Sequence, residues 1–186
     1  MQLDGTEDIR VRKTIESIHE SFISLLKEQP YEKITVKGLC ERARINKKTF
    51  YRYYPTLDDL LMDLQSEYSM PYIERTDGLR YPEDVEAITR DWLHYSAAQG
   101  ELYDRIICSS SYATILDKVI QQMEQDRYTQ SQAPKGWSAE EWSLYMAHVT
   151  SAQVRFYRQW VEDGRVVPED KMVDLACKLI CQGAKL

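Results

Sequence analysis

The sequence predicts an all-α protein with an N-terminal three-helix unit that contains a helix-turn-helix, and three observations carry that reading. Apolar residues recur at spacings of three and four along most of the chain, with no convincing alternating strand pattern and no internal repeat. Only 7 glycines and 6 prolines interrupt 186 residues, so long helical runs are left intact. Two short helical segments, each opened by a good N-cap, are separated by three residues, which is the spacing of a helix-turn-helix.

The elements follow in chain order. Val11, Ile15, Ile18, Phe22, Leu25 and Leu26 lay one apolar stripe on a first helix, which ends near Gln29-Pro30. Tyr31–Ile34 is a connector. Thr35 caps a short helix over Val36–Ala43, Arg44-Ile45 makes a turn, and Asn46 caps a second short helix that runs to about Tyr53, where Pro55 disfavours helical geometry at Tyr54. Thr56-Leu-Asp-Asp59 reads as a capping box with Asp at its third helical position, and Leu57, Leu60, Leu61, Leu64 and Tyr68 continue a fourth helix. Pro71–Pro82, with Gly78, is the expected loose loop or domain boundary. Helical segments then follow at 83–98, 101–109, 111–130, 138–163 and 169–183, the fourth of these opened by the capping box Ser138-Ala-Glu-Glu141.

Charge discriminates between functions. The net charge is -6, yet residues 1–55 carry 11 Lys/Arg against 8 acids, while the other 131 residues carry 13 against 22. Lys33 to Tyr54 holds seven basic residues and one acid, Glu41, so an acidic protein presents one basic segment suited to a local anionic partner. In that segment Val36, Leu39, Cys40, Ala43, Ile45, Phe50 and Tyr54 are placed to pack the two helices together. Lys37, Lys47, Lys48, Thr49, Tyr51, Arg52 and Tyr53 are left facing outward. Basic residues on short helices are often only a solvated face. Here the turn spacing, the two caps and the outward tyrosines point to duplex DNA, whose phosphates meet such groups and whose major groove admits one helix.

These residues resemble the DNA-binding domain of TetR-type (tetracycline-repressor-like) transcriptional regulators. The resemblance runs from about Ile9 to Leu64, a third of the chain, through Ile34-Thr35-Val36, Leu39–Ala43, Ile45-Asn46, Thr49-Phe50-Tyr51-Arg52-Tyr53-Tyr54 and Asp58-Asp59-Leu60-Leu61. It implies that the helix opened by Asn46 lies in the major groove. Thr35 would then touch a phosphate, Lys47, Lys48 and Thr49 would approach base edges or backbone, Tyr51 and Tyr53 would hold phosphates, and Phe50 and Tyr54 would be core. The expected DNA-binding set is Thr35, Lys37, Arg44, Asn46, Lys47, Lys48, Thr49, Tyr51, Arg52 and Tyr53. Two positions depart from the family pattern: Arg44 stands where a small Gly is common in the turn, and Leu57 stands where a basic residue often opens the fourth helix.

The resemblance further implies an α-helical C-terminal domain for dimerisation and ligand binding. The expected division is 1–55 for the helix-turn-helix domain, 56–76 for a connecting helix and 77–186 for the regulatory and dimerisation domain. Val149, Phe156, Trp160, Val173, Ala176, Leu179 and Ile180, on the last two helices, are the expected dimer interface. Trp92, Tyr95, Tyr103, Tyr112, Met123, Trp137 and Tyr145 are the expected lining of an apolar cavity for an apolar or aromatic effector, although an aromatic stripe at helical spacing also serves as plain core. The partners so implied are double-stranded operator DNA, a second copy of the chain and a small-molecule effector.

Other classes find little support. No apolar run approaches the ~20 residues that cross a bilayer, and the four cysteines read as reduced thiols, so a cytoplasmic protein without membrane contact is expected. His19, His94 and His148 are scattered. Cys177 and Cys181 share a helix face but supply half of a tetrahedral site in an apolar setting, so no metal and no cofactor are expected. No Gly-rich phosphate loop or nucleophile motif argues for an enzyme. The rival reading is a helical dimeric adaptor, or a regulator controlled by a protein partner without a small-molecule effector.

Overall fold

The computed structural model describes residues 9–109 and 133–182, and these are helical, with no strand among them. The helices are α1 (Ile9–Glu28), α2 (Val36–Arg42), α3 (Lys47–Tyr53), α4 (Leu57–Arg75), α5 (Val85–Ala98), α6 (Glu101–Ile107), α7 (Ala139–Glu162) and α8 (Glu169–Gln182), with a single 3₁₀ turn at Tyr31–Lys33. The expected helix at 111–130, including Tyr112 and Met123, lies outside the described residues.

Each start signal acts as its chemistry requires. Thr35 Oγ1 accepts from the Gly38 amide at 3.1 Å and Asn46 Oδ1 from the Thr49 amide at 2.8 Å, satisfying amides that a helix start leaves without intrahelical partners. The Thr56 box closes in both directions, with the Asp59 amide donating to Thr56 Oγ1 at 3.1 Å and the Thr56 amide to Asp59 Oδ2 at 2.9 Å. Ser138 and Glu141 do the same at the head of α7.

The segment Pro71–Pro82 corrects its expectation as a loose loop in its first part. Helix α4 runs through Pro71 to Arg75, and the turns begin only at Thr76. Proline removes one amide donor, here to the Glu67 carbonyl, and that loss is outweighed by what holds the helix on either side. The Tyr95 hydroxyl donates to the Tyr68 carbonyl at 2.8 Å, and buried Tyr72 donates to the Ile88 carbonyl at 3.3 Å.

One apolar core joins the N-terminal helices to the rest. Ile18, Phe22 and Leu26 of α1, Leu39 of α2, Phe50 of α3 and Leu60, Leu61 and Leu64 of α4 continue into Leu93 of α5, Ile106 of α6, Tyr157 of α7 and Val173 of α8. Fully burying such side chains contributes about 1.5–3 kcal/mol each. A second cluster, Tyr81, Ile88, Trp142, Met146 and Val149, closes the far end of the α5, α7 and α8 layer. Between α6 and α7 a polar knot is built into the core edge. Asp104 receives Arg165 Nη2 at 2.8 and 2.9 Å, and the Tyr157 hydroxyl lies 2.6 Å from the same carboxylate, with Arg165 itself in the left-handed region at φ 56°.

Candidate nucleic-acid interface

Helices α2 and α3 pack through the residues the pattern assigns to them. Leu39 and Phe50 are fully buried, Cys40 and Ala43 are nearly so, and Tyr54 is 3% exposed, so the inner face of the two-helix unit is apolar throughout. The turn between them is closed by the Ile45 amide donating to the Cys40 carbonyl at 3.0 Å. Arg44 occupies that turn with φ 54°, a left-handed conformation that glycine adopts without steric cost and arginine does not.

The opposite face is polar and cationic. Thr35, Lys37, Arg44, Asn46, Lys47, Lys48, Tyr51 and Arg52 are exposed, while Thr49 and Tyr53 are half-buried. Tyr51 is 53% exposed although it adjoins fully buried Phe50, against whose ring it packs edge-on at 5.4 Å. Helical geometry separates the two: neighbours along the chain point about 100° apart, so one enters the core and the other stands in solvent. Arg52 lies over the Tyr53 ring at 5.9 Å.

Pairing divides the cations of this region. Arg42 is spent internally, holding Glu28 through both nitrogens, one at 2.6 Å, and Ser24 at 2.7 Å, which fastens α2 to α1. Lys37 reaches Glu41 loosely, at 3.9 Å between exposed groups. Among the described residues no carboxylate pairs with Arg44, Lys47 or Lys48, so their charge is free to meet an outside anion. The cap residues are partly committed: Asn46 Oδ1 accepts from both the amide and the hydroxyl of Thr49, which leaves the Asn46 side-chain NH2 as its other hydrogen-bonding group.

The structure adds features that spacing did not show. Tyr54 is buried as expected, but its hydroxyl donates to Asp63 Oδ2 at 2.7 Å, tying the end of α3 to α4, and burial pushes its pKa up to about 12. Tyr31 donates to Asp58, a second tie to α4, and Arg105 of α6 donates to the Leu26 carbonyl at 3.1 Å, in the last turn of α1. An open groove of about 490 Å³ lies where the start of α1 meets the turn, bordered by Ile9, Arg10, Lys13, Thr14, Ser17, Ala43 and Ile45. These ties join residues distant in sequence, and no local motif signals them.

The expected effector residues fall into two places. Tyr103 is buried between Tyr68 (5.3 Å) and Tyr157 (6.1 Å), Trp92 packs edge-on to Tyr157 (5.9 Å), and Tyr95 lies beside Tyr72 (5.5 Å). Trp137 and Tyr145 instead surround Trp142 in the second cluster, the Tyr145 ring stacked on it at 5.4 Å. Of the expected dimer residues, Val149, Trp160, Val173 and Ala176 are buried inside their own chain, which corrects their assignment to a partner-facing surface. Their spacing marks a helix face that is covered, and sequence alone does not tell a core from a subunit interface. Phe156, Leu179 and Ile180 are partly buried, and Leu144 and Leu175 are exposed at 72% and 41%.

Among the described residues no group of three or more His, Cys, Asp or Glu side chains is placed to hold a metal ion, and no helix is long and apolar enough to cross a membrane.

Comparison with known proteins adds to this geometry. Residues 23–64 match the family of bacterial regulatory proteins described as the tetR family. No curated protein matches the chain. Two crystal structures from Rhodococcus sp. RHA1 share its fold: a TetR transcriptional regulator, 15% identical, with TM-score 0.55 over 96% of this chain and 100% of that one, and a TetR-like transcriptional regulator, 13% identical, with TM-score 0.54 over 98% of each. The segment that carries the helix-turn-helix thus matches the tetR family of bacterial regulatory proteins, and the all-helical fold around it is shared with the two Rhodococcus structures along nearly the whole length.

Proposed function

We propose that this chain is a TetR-type transcriptional regulator that binds a two-fold-symmetric operator as a homodimer, with α3 in the major groove, and that it represses transcription until a small apolar or aromatic ligand binds the helices beyond α4. The observation that carries the DNA contact is the division of α3 itself. Phe50 anchors the helix in the core while Lys47, Lys48, Tyr51 and Arg52 stand exposed on it, next to the unpaired Arg44. Lys47, Lys48 and Thr49 approach base edges or backbone, and Thr35, Lys37, Arg44, Asn46, Tyr51, Arg52 and Tyr53 complete the contact with phosphates.

The same reading divides the chain into the helix-turn-helix domain 1–55, the connecting helix 56–76 and the regulatory part 77–186. Dimerisation uses the outward faces of α7 and α8, where Leu144 and Leu175 stand exposed and Phe156, Leu179 and Ile180 are partly covered. The aromatic groups around Tyr157 and around Trp142 support an apolar or aromatic effector, because such rings offer both area and flat faces to a ligand. A ligand that favours a conformer with α4 displaced would move the two recognition helices out of match with half-sites one helical turn (~34–36 Å) apart.

Selection of duplexes from a random-sequence pool tests the proposal. An inverted repeat is the expected product, and Lys48→Ala and Tyr51→Ala are each expected to weaken its binding about tenfold with dimerisation unchanged. Unaltered affinity in both variants would remove α3 from the groove.

A further inference from the structure

The start of α1 and the turn between α2 and α3 border the open groove of about 490 Å³. Ile9, Arg10, Lys13 and Ser17 lie along one wall, and their spacing of three and four places them on a single face of α1. Ala43 and Ile45 form the other wall, one on each side of Arg44. The Ser17 hydroxyl donates to the Ala43 carbonyl at 3.2 Å and ties the two walls together.

None of the bordering residues is acidic. Adjacent cations of α1 are used differently: exposed Arg12 pairs with Glu16 at 3.5 Å, whereas Lys13 is exposed and has no carboxylate partner among the described residues. Ile9, 65% exposed, and half-buried Ile45 give the same groove an apolar lining. Free positive charge beside apolar surface complements a nucleic-acid strand, in which charged phosphates alternate with less polar sugars.

The groove is also continuous with the DNA-facing surface, because Arg44 and Ile45 lead directly into Asn46 and Lys47 at the head of α3. A major groove about 12 Å wide is filled by one helix of about 10–12 Å diameter, so the phosphates on its rims fall to whatever stands beside that helix.

We propose that this groove takes the sugar-phosphate backbone of the operator beside the base pairs met by α3, with Lys13 as its phosphate contact. The contact rests on the DNA-binding reading given above, and it adds α1 to a surface otherwise built from α2, α3 and their turn. Its role is to fix the register of α3 on the duplex, since a phosphate contact carries no base information.

The test is the salt dependence of binding, measured by fluorescence anisotropy with the full chain and a selected duplex between about 50 and 200 mM KCl. Each neutralised phosphate contributes about 0.9 to the slope of log affinity against log salt, so Lys13→Gln should flatten that slope by about 0.9 per protomer, or about 1.8 for a dimer. Over this fourfold range of salt the variant dimer should lose about twelvefold less affinity than wild type. Lys13→Arg keeps the charge and should keep the wild-type slope. Lys27→Gln removes an exposed cation from the last turn of α1, about 20 Å along the helix from Lys13, and should leave the slope unchanged. The cost of each base-pair change in the duplex should be the same for Lys13→Gln as for wild type. A wild-type slope in Lys13→Gln, an equal flattening in Lys27→Gln, or an altered base preference in Lys13→Gln would overturn the contact. A wild-type chain that selects no duplex would overturn the DNA-binding reading, and the contact with it.

Discussion

Phe50 and Tyr51 are adjacent on α3, and exchanging each for alanine separates folding from DNA binding. Phe50 is fully buried among the side chains that join α1, α2 and α4. Phe50→Ala removes its transfer free energy and leaves a cavity, a loss of about 3–5 kcal/mol, out of a total of about 5–15 kcal/mol for a protein domain. At this size about 1 kcal/mol moves the melting temperature by roughly 2–4 °C, so Phe50→Ala should melt about 6–20 °C lower. Tyr51 is 53% exposed, and its alanine variant should stay within about 0.5 kcal/mol of wild type in stability. A hydroxyl bonded to phosphate is a charge-assisted contact, so Tyr51→Ala should lose about 1.5–3 kcal/mol of operator binding, a tenfold loss or more. Urea unfolding followed by circular dichroism and anisotropy with a selected duplex read the two quantities on the same samples. If Tyr51→Ala unfolds as readily as Phe50→Ala, or binds DNA as tightly as wild type, the assignment of inward and outward faces on α3 is wrong.

Three further outcomes are expected. Arg44→Gly should raise stability by about 1 kcal/mol in urea titration by relieving the left-handed φ of 54°, while lowering the salt dependence of DNA binding by about one phosphate contact. Asp104→Asn leaves the Arg165 guanidinium, 34% exposed, without its counter-charge and should cost about 2–3 kcal/mol; a melting temperature within 1–2 °C of wild type, roughly 0.5 kcal/mol, would deny the polar knot a structural role. Burial pushes the Cys108 and Cys177 thiols up to about 11, so at pH 8 only about one in a thousand is thiolate. In the native protein both should alkylate about 200-fold more slowly at pH 8 than a free cysteine, whose pKa is about 8.5, and at the ordinary rate after denaturation.

Local chemistry was sufficient for much of this protein. The side chains of Thr35, Asn46, Thr56 and Ser138 each accept from the backbone amide three residues on, so their signal is complete within one turn of chain. The inward set Leu39, Phe50 and Tyr54 and the outward set Lys47, Lys48 and Tyr51 follow from helical period alone. Pro71 shows where local rules stop: they end the helix there, but two tyrosine hydroxyl bonds that tie α4 to α5 carry it on to Arg75.

The sequence by itself determined that the described residues are helical, where α2, α3 and α4 begin, and that the basic segment faces outward, because helix period, caps and charge are properties of neighbours in the chain. The tertiary structure alone decided that Val149, Trp160, Val173 and Ala176 serve their own core, that Arg42 is consumed by Glu28, and that His19 meets Tyr54, Asp63 and Glu67. Those outcomes depend on which surfaces come together across separations of 14 to 48 residues, and a periodic stripe records only that a face will be covered, not by what.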